Sequence, residues 1–305
     1  MPSSARDAQI IDALVRELAE DTARRYRIDV ERAHRMISDL WINEPALWEQ
    51  AATSIDAARL KRTRAYKDAA TKAKSRIYYG LRRYRDAPDE SAVAVARLCA
   101  LAGQNLGMTD AAVVEARDRI VATHISTRER LADLDEFFSA LFAIAPAPAS
   151  ILDIGCGVQP LLYPFHAAGS STRLYVAIDR DQTVIDAVQA WSRLLGTGRL
   201  EGRRWRLSEG FEHINGPEEG GLFDLALALK FVAVVARQER EKLDSLRQVP
   251  ARRLLVTGAR EAMVKRRSIA HREERVLREF ADAHGFTPAA RLETKSEVGL
   301  LLERR

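Results

Sequence analysis

A short apolar run ending in two glycines one residue apart restricts this chain more than any other feature. The segment is Ile151-Leu152-Asp153-Ile154-Gly155-Cys156-Gly157. An apolar run of this length, closed by turn residues, reads as a buried strand. Glycines directly after it let the backbone turn sharply and come close to a ligand, because no Cβ intervenes. Asp179 closes the next apolar run, Tyr175-Val176-Ala177-Ile178-Asp179. An acid at the tip of a second strand can accept hydrogen bonds from ribose hydroxyls.

Two ligand readings share this pattern. A dinucleotide fold wants a third glycine after two more residues, where a helix N-terminus meets a pyrophosphate. That position is Pro160, and an acid, Asp153, stands inside the strand instead. The D-x-G-x-G form is similar to the first motif of Rossmann-like methyltransferases, whose cofactor carries no phosphate. A structural turn or another nucleotide site is the alternative. Cys156 reads as a small loop residue, since no base partner for a nucleophile is evident.

The rest of the chain agrees with an α/β sheet preceded by helices. Helical spacing recurs through Ile10, Ile11, Leu14, Val15 and Leu18, and again through Val30, Ala33, Met36, Ile37 and Leu40. A third helix is expected from Ile55 to Arg85, and two shorter ones over Glu90–Leu101 and Asp110–Ala122. The texture changes at Pro146-Ala147-Pro148. Beyond it, strands are expected at Ile151–Ile154, Leu174–Ile178, Trp205–Leu207, Leu222–Leu229 and Arg253–Thr257. A last pair, near Arg291 and at Val298–Leu302, suits an antiparallel hairpin at the sheet edge. The expected fold class is α/β, a Rossmann-like sheet with helices on both faces, behind an all-helical N-terminal domain. Residues 1–122 would form the helical domain and 123–305 the sheet domain.

Charge is concentrated rather than spread. Between Arg59 and Arg85 stand Arg59, Lys61, Arg62, Arg64, Lys67, Lys72, Lys74, Arg76, Arg82, Arg83 and Arg85, against the single acid Asp68. The segment is net +10 in a chain of net charge +5, so the remainder is −5. Tyr66, Tyr78, Tyr79 and Tyr84 are interleaved. Such clusters neutralise phosphates, and tyrosines stack on bases or anchor the helix. A solvated helix face is the plainer reading of a charge run, but it normally mixes signs. A second basic group, Lys265, Arg266 and Arg267 with Arg260 and Arg272, follows the fifth expected strand.

The segment His124-Ile125-Ser126-Thr127-Arg128-Glu129-Arg130-Leu131, with Leu134-Asp135-Glu136-Phe137 after it, carries a resemblance to a known family. It closely resembles a signature of the aminoglycoside-resistance 16S rRNA methyltransferases, the Arm and Rmt enzymes and their relatives in actinomycete producers. Cys156-Gly157-Val158-Gln159-Pro160-Leu161 resembles the family's C-G-x-N-P-L, and Asp224–Lys230 and Ser75–Gly80 extend the likeness to both halves of the chain. The resemblance implies a helical domain docking on the 30S subunit and transfer of a methyl group from S-adenosylmethionine (SAM) to N7 of a decoding-site guanine in 16S rRNA. It also implies that His124, Ile125, Ser126, Thr127, Arg128, Glu129 and Arg130 line the cofactor pocket. Arg130 would pair with the methionine carboxylate, whose geometry its fork matches. Gly155 would lie against the cofactor, Asp179 on its ribose, Glu209 near its adenine, and Leu229 and Gln238 around the pocket.

The chain departs from the family at three places. Glu209 replaces an Asp, Lys230-Phe231-Val232-Ala233 lacks the proline of Lys-x-x-Pro, and Gly258-Ala259-Arg260 stands where Phe-Pro-Thr is usual. Ser126 or Thr127 would by themselves cap a helix running through Glu129 and Arg130. Lys230, at a strand end, either holds the target base or phosphate or is an ordinary surface lysine.

Hydrophobic residues make up 47% and charged residues 30%, a globular balance. With two cysteines, no zinc-like histidine spacing, no apolar run of membrane length and no signal-like N-terminus, a cytoplasmic monomer without metal or membrane partner is expected. Two other functions fit parts of the pattern. A small-molecule methyltransferase would leave the basic helix incidental, and a non-enzymatic 30S-binding factor would bind no SAM.

Overall fold

The computed structural model describes residues 5–26, 29–81, 88–104, 106–166, 171–261 and 268–304. They fold as two compact units, Met1–Arg83 and Tyr84–Arg305.

The first unit is helical: α1 (Ala5–Tyr26), α2 (Val30–Trp41), α3 (Pro45–Thr53), α4 (Ala57–Arg62) and α5 (Arg64–Leu81). Asp29 and Asp56 start α2 and α4, their carboxylates accepting from the amides of Arg32 at 2.9 Å and Arg59 at 2.7 Å. The single long helix expected over Ile55–Arg85 is broken. Thr63 is extended (φ −70°, ψ 156°) between α4 and α5. Its hydroxyl donates to the Leu60 carbonyl at 2.7 Å and accepts from the Tyr66 amide at 3.3 Å, closing one helix and capping the next. Leu14, Leu18, Ile37, Trp41, Leu47, Leu60, Ala73 and Ile77 form the core. Full burial of each large side chain contributes roughly 1.5–3 kcal/mol. Tyr66 packs edge-on to Trp41 at 5.7 Å and is buried, so it anchors α5.

The second unit opens with α6 (Pro88–Ala102), α7 (Ala111–Thr123), α8 (Ile125–Arg130) and α9 (Leu134–Ile144). Strands and helices then alternate: β1 (Ser150–Ile154), β2 (Leu174–Asp179), α10 (Gln182–Leu195), β3 (Leu200–Arg204), β4 (Phe223–Ala228), α11 (Phe231–Gln238), β5 (Ala251–Ala259), α12 (Ala270–Ala283), β6 (Phe286–Glu293) and β7 (Glu297–Arg304). α6 packs on both α7 and α10, so the helices that cover the sheet begin well before residue 123.

The seven-stranded sheet has the order β3-β2-β1-β4-β5-β7-β6. The first five strands are parallel, and β7 pairs antiparallel with both β5 and β6, as the terminal hairpin predicted. Side chains alternate between two cores. Ile151, Tyr175 and Ala177 face one, with Phe137, Leu141 and Trp191; Leu152, Ile154, Val176 and Ile178 face the other, with Leu277 and Phe280.

Because β1 lies between β2 and β4, the connections run to opposite sides of it. Such a switch point opens a crevice at the carboxyl ends of the strands. The third strand is not at Trp205–Leu207 but at Leu200–Arg204. As an edge strand it needs little apolar content, and Trp205 just beyond it plugs the core, donating to the Gly210 carbonyl at 2.6 Å. No helix among the described residues is long and apolar enough to cross a membrane.

Candidate functional site

The crevice at the ends of β1, β2 and β4 gathers most of the residues singled out from the sequence. The loop Gly155-Cys156-Gly157 is stitched to β2. Its Gly155 and Cys156 amides donate to the Ile178 carbonyl at 2.8 and 3.1 Å, and the Gly157 amide donates to Asp179 at 3.1 Å. Both glycines have positive φ, +64° and +51°. At Gly155 the demand is doubled, since a Cβ there would stand 2.4 Å from the Phe231 ring. The turn after the loop is a short 3-10 turn, Gln159–Leu162, with Pro160 near its start. No α-helix therefore presents its N-terminus to a phosphate at this point.

Burial pushes the Asp179 carboxyl above its ordinary range, although the Asp181 and Gly157 amides pull the other way. Asp153 is fully buried and accepts from the Tyr175 hydroxyl at 2.7 Å. Burial pushes its carboxyl up to about 7, against the Tyr175 bond and the Arg130 charge. Burial likewise holds the Cys156 thiol well above the usual range, which leaves it protonated and unreactive.

On the other side of the loop stands a buried charge cluster. Arg130 comes from the end of α8 and is 2% exposed. It donates through Nε to Glu297 Oε1 at 2.7 Å and through Nη1 to Gln159 Oε1, with Phe137 4.4 Å beneath its guanidinium. Glu297, at the start of β7, is fully buried, and its second oxygen accepts from the Thr257 hydroxyl at 2.6 Å. Lys230 completes the group. Its Nζ donates to Glu129 at 2.8 Å and to the Ser126 carbonyl at 3.3 Å, and lies 3.6 Å from Glu297.

Lys230 is therefore no surface lysine: its side chain is 11% exposed. It is also one of two non-glycine residues with positive φ among the described residues, at +58°, its amide donating to Thr257 at 2.9 Å. Backbone in that region costs of order 1–3 kcal/mol and persists where surroundings over-determine it.

The remaining candidates are dispersed. His124 and Thr127 are buried and Ile125 and Ser126 half-buried, whereas Arg128 is exposed, donating to the Ala122 carbonyl at 3.0 Å. Neither Ser126 nor Thr127 caps α8. His124, extended at φ −97° and ψ 105°, separates α7 from α8 and takes the cap position itself, though its side chain does not bond to the first-turn amides. Glu209 sits exposed on a 3-10 turn after β3, while Leu229 precedes α11 and Gln238 ends it, both half-buried.

Sequence reasoning passed over Glu297, Thr257 and Gln159. Gln159 lies inside the quoted C-G-V-Q-P-L run and so was within reach. A lone acid at the head of an apolar strand reads as a surface residue, and only the fold shows that Glu297 points inward.

In the helical unit the basic residues divide in two. Lys61, Lys72 and Lys74 pair with Glu17, Glu44 and Asp21 of neighbouring segments, and Arg64 with Asp68. Arg62, Lys67 and Arg76 are exposed and have no acidic partner among the described residues. Arg82, Arg83, Lys265, Arg266 and Arg267 lie outside the described residues. Among the described residues, no His, Cys, Asp and Glu are grouped to hold a metal ion.

Comparison with known proteins places this site in context. The family described as Ribosomal RNA methyltransferase (FmrO) matches residues 62–298, most of the chain. A 16S rRNA (guanine(1405)-N(7))-methyltransferase of Micromonospora rosea is 40% identical over 87 residues, 28% of this chain and 31% of that one. One from Frankia casuarinae is 32% identical over 140 residues, 45% of this chain and 46% of that one. The chain thus aligns with less than half the length of these curated relatives. The solved 16S rRNA methyltransferase RmtF, in complex with S-adenosyl-L-homocysteine, has the same fold at TM-score 0.55 and 20% identity, covering 99% of both chains. The 16S rRNA methylase RmtB has it at TM-score 0.51 and 18% identity, over 95% of this chain and 98% of that one. The family match over most of its length, with a sheet and strand-end crevice of the corresponding fold, makes this chain a member of the ribosomal RNA methyltransferase (FmrO) family.

Proposed function

We propose that the chain transfers a methyl group from SAM to N7 of guanine 1405 in the 16S rRNA of the 30S subunit, and so confers aminoglycoside resistance. The observation that carries the cofactor reading is the chemistry at the two sides of the glycine loop. On one side Asp179 offers carboxylate oxygens suited to ribose hydroxyls. On the other, Arg130 and Gln159 form a buried donor pair suited to an amino-acid carboxylate, with one Gln159 donor, Nε2, buried and unpartnered. A 3-10 turn replaces the helix start that a pyrophosphate would need. These residues fit a nucleoside carrying an amino acid better than a dinucleotide.

SAM supplies an electrophilic methyl group on a sulfonium. Guanine N7 has a lone pair and no proton at neutral pH, so the residues need to align and hold the base rather than remove a proton. Lys230 and Phe231 follow the carboxyl end of β4, with the Phe231 ring against Gly155, and would hold the base in this reading. The exposed Arg62, Lys67 and Arg76 offer charges that could neutralise phosphates in 30S docking.

Incubation with labelled SAM and either 30S subunits or naked 16S rRNA, followed by mapping of the modified base, tests the proposal. Label at guanine 1405 is expected. Label at another base would revise the target, and label only in small molecules would replace the substrate class. No incorporation alongside a working control enzyme would remove the activity.

A further inference from the structure

Arg130 and Lys230 come from segments far apart in the sequence, yet one buried carboxylate touches both. Glu297 Oε1 accepts from Arg130 Nε at 2.7 Å, has Arg130 Nη2 at 2.5 Å and has Lys230 Nζ at 3.6 Å. Its other oxygen takes the Thr257 hydroxyl, and the same hydroxyl oxygen accepts the Lys230 amide. Thus a single residue fixes the head group of Arg130, the head group of Lys230 and, through Thr257, the strained backbone of Lys230.

An isolated carboxylate in such a position would be expelled by its desolvation cost, which is several kcal/mol even after relaxation. Burial does push the Glu297 carboxyl up, but the Arg130 and Lys230 charges with the Thr257 and Arg130 hydrogen bonds outweigh it. They hold the group below its ordinary range, and thus ionised. Two cations and one buried anion leave one positive charge, which the partly exposed Glu129 balances beside Lys230.

The geometry also divides the Arg130 guanidinium into two ends. Glu297 occupies the Nε and Nη2 edge. Gln159 occupies Nη1 through its oxygen, with its own Nε2 left unpartnered. A ligand carboxylate can therefore approach the Gln159 end, where the buried Nε2 donor is unpartnered, while Glu297 keeps the opposite edge aligned.

We propose that Glu297 is the positioning residue of this site: it orients Arg130 for the cofactor's carboxylate and couples that arginine to Lys230 at the end of β4. The proposal rests on the SAM reading above. It assigns Glu297 no contact with cofactor or base and makes its effect pass through the two cations. Replacing it by a neutral residue leaves Arg130 unaligned and two buried cations facing each other. Removing the Lys230 charge as well relieves the second fault but not the first.

The test is a double-mutant cycle on S-adenosylhomocysteine affinity, read by titration calorimetry, with the thermal midpoint recorded for each protein. Glu297→Gln is expected to weaken binding by about tenfold or more. Glu297→Gln with Lys230→Met should bind more tightly than Glu297→Gln alone, so the two effects do not multiply. Glu297→Asp, which keeps the charge, should recover part of the affinity lost in Glu297→Gln.

Affinity within about twofold of the wild type in a folded Glu297→Gln variant, or effects of Glu297→Gln and Lys230→Met that multiply within error, would overturn the proposal. If Glu297→Gln does not fold, Glu297→Asp and Lys230→Met complete the cycle with the same criterion. Failure of the wild type to bind S-adenosylhomocysteine at all would strike the SAM reading instead, so the two failures are separable.

Discussion

Asp153 shows what the fold adds to one residue of the glycine motif. It stands inside β1, where its side chain is buried and accepts from the Tyr175 hydroxyl. Burial raises its carboxyl to about 7, from an ordinary value of 3.8. Between those values the folded chain keeps a proton that the unfolded chain has lost, so this group makes stability fall as pH rises, with no further loss above about 7. Asp153→Asn keeps an acceptor for Tyr175 and removes the titration. The stability of the wild type relative to that variant should therefore fall by about 2–4 kcal/mol between roughly pH 4.5 and roughly pH 8 in urea unfolding. Parallel stability curves for the two proteins would contradict it. Gln159 gives a second expectation at this scale. Gln159→Leu keeps the volume but removes both the Arg130 acceptor and the unpartnered donor. S-adenosylhomocysteine affinity should drop about tenfold, and the thermal midpoint should fall as well, because a buried Arg130 donor loses its acceptor; an unchanged affinity would remove Gln159 from the site.

Among the elements, α12 is tied to α11 by one acid. Glu273 is buried and accepts from Arg237 of α11 at 2.7 and 3.0 Å and from Arg272 at 2.9 Å. The helix lies so close to β5 that a Cβ on Gly258 would stand 2.7 Å from the Glu273 Cβ. Glu273→Ala should cost about 1–3 kcal/mol in urea denaturation, less than for a wholly buried pair because Arg237 is partly exposed. A loss below about 0.5 kcal/mol would show that the pair is idle. The elements also mark what could be read in advance. β1, β2, β4 and β5 announce themselves as apolar runs because both faces of a central parallel strand are covered. β3 does not, because Leu200-Glu201-Gly202-Arg203-Arg204 sits at the edge and buries little beyond Leu200. The break at Thr63 was equally hard to see, since a threonine within a basic helical run gives no local sign that its hydroxyl serves two helices. The glycine loop and Asp179 were legible because their chemistry is local. The Arg130–Glu297–Lys230 cluster was not, because it depends on which strands become neighbours.

At the scale of the whole molecule, charge is the feature that the sequence displays most plainly and the fold most modifies. Eleven basic residues between Arg59 and Arg85 suggest one uniform RNA-facing helix. The structure instead engages Lys61, Lys72 and Lys74 in ion pairs within the helical unit and leaves Arg62, Lys67 and Arg76 exposed. Replacing Arg62, Lys67 and Arg76 together by Gln should weaken 30S binding and reduce the slope of log affinity against log salt by about 2–3, with S-adenosylhomocysteine affinity unchanged. The corresponding Lys72→Gln and Lys74→Gln pair should move that slope less. A larger effect from the paired lysines than from Arg62, Lys67 and Arg76 would reverse this assignment.

The hydrogen bond from Arg130 to Glu297 spans 167 residues of chain. β7 can reach its place between β5 and β6 only when the sheet has a β5 edge to receive it. Contacts of such long separation carry the largest loop-closure entropy and form late. Capacity to bind a cofactor carboxylate should therefore be the last property that a refolding chain regains. Partly folded forms, with β1, β2 and the glycine loop already in register, would have the shape of the site without its alignment.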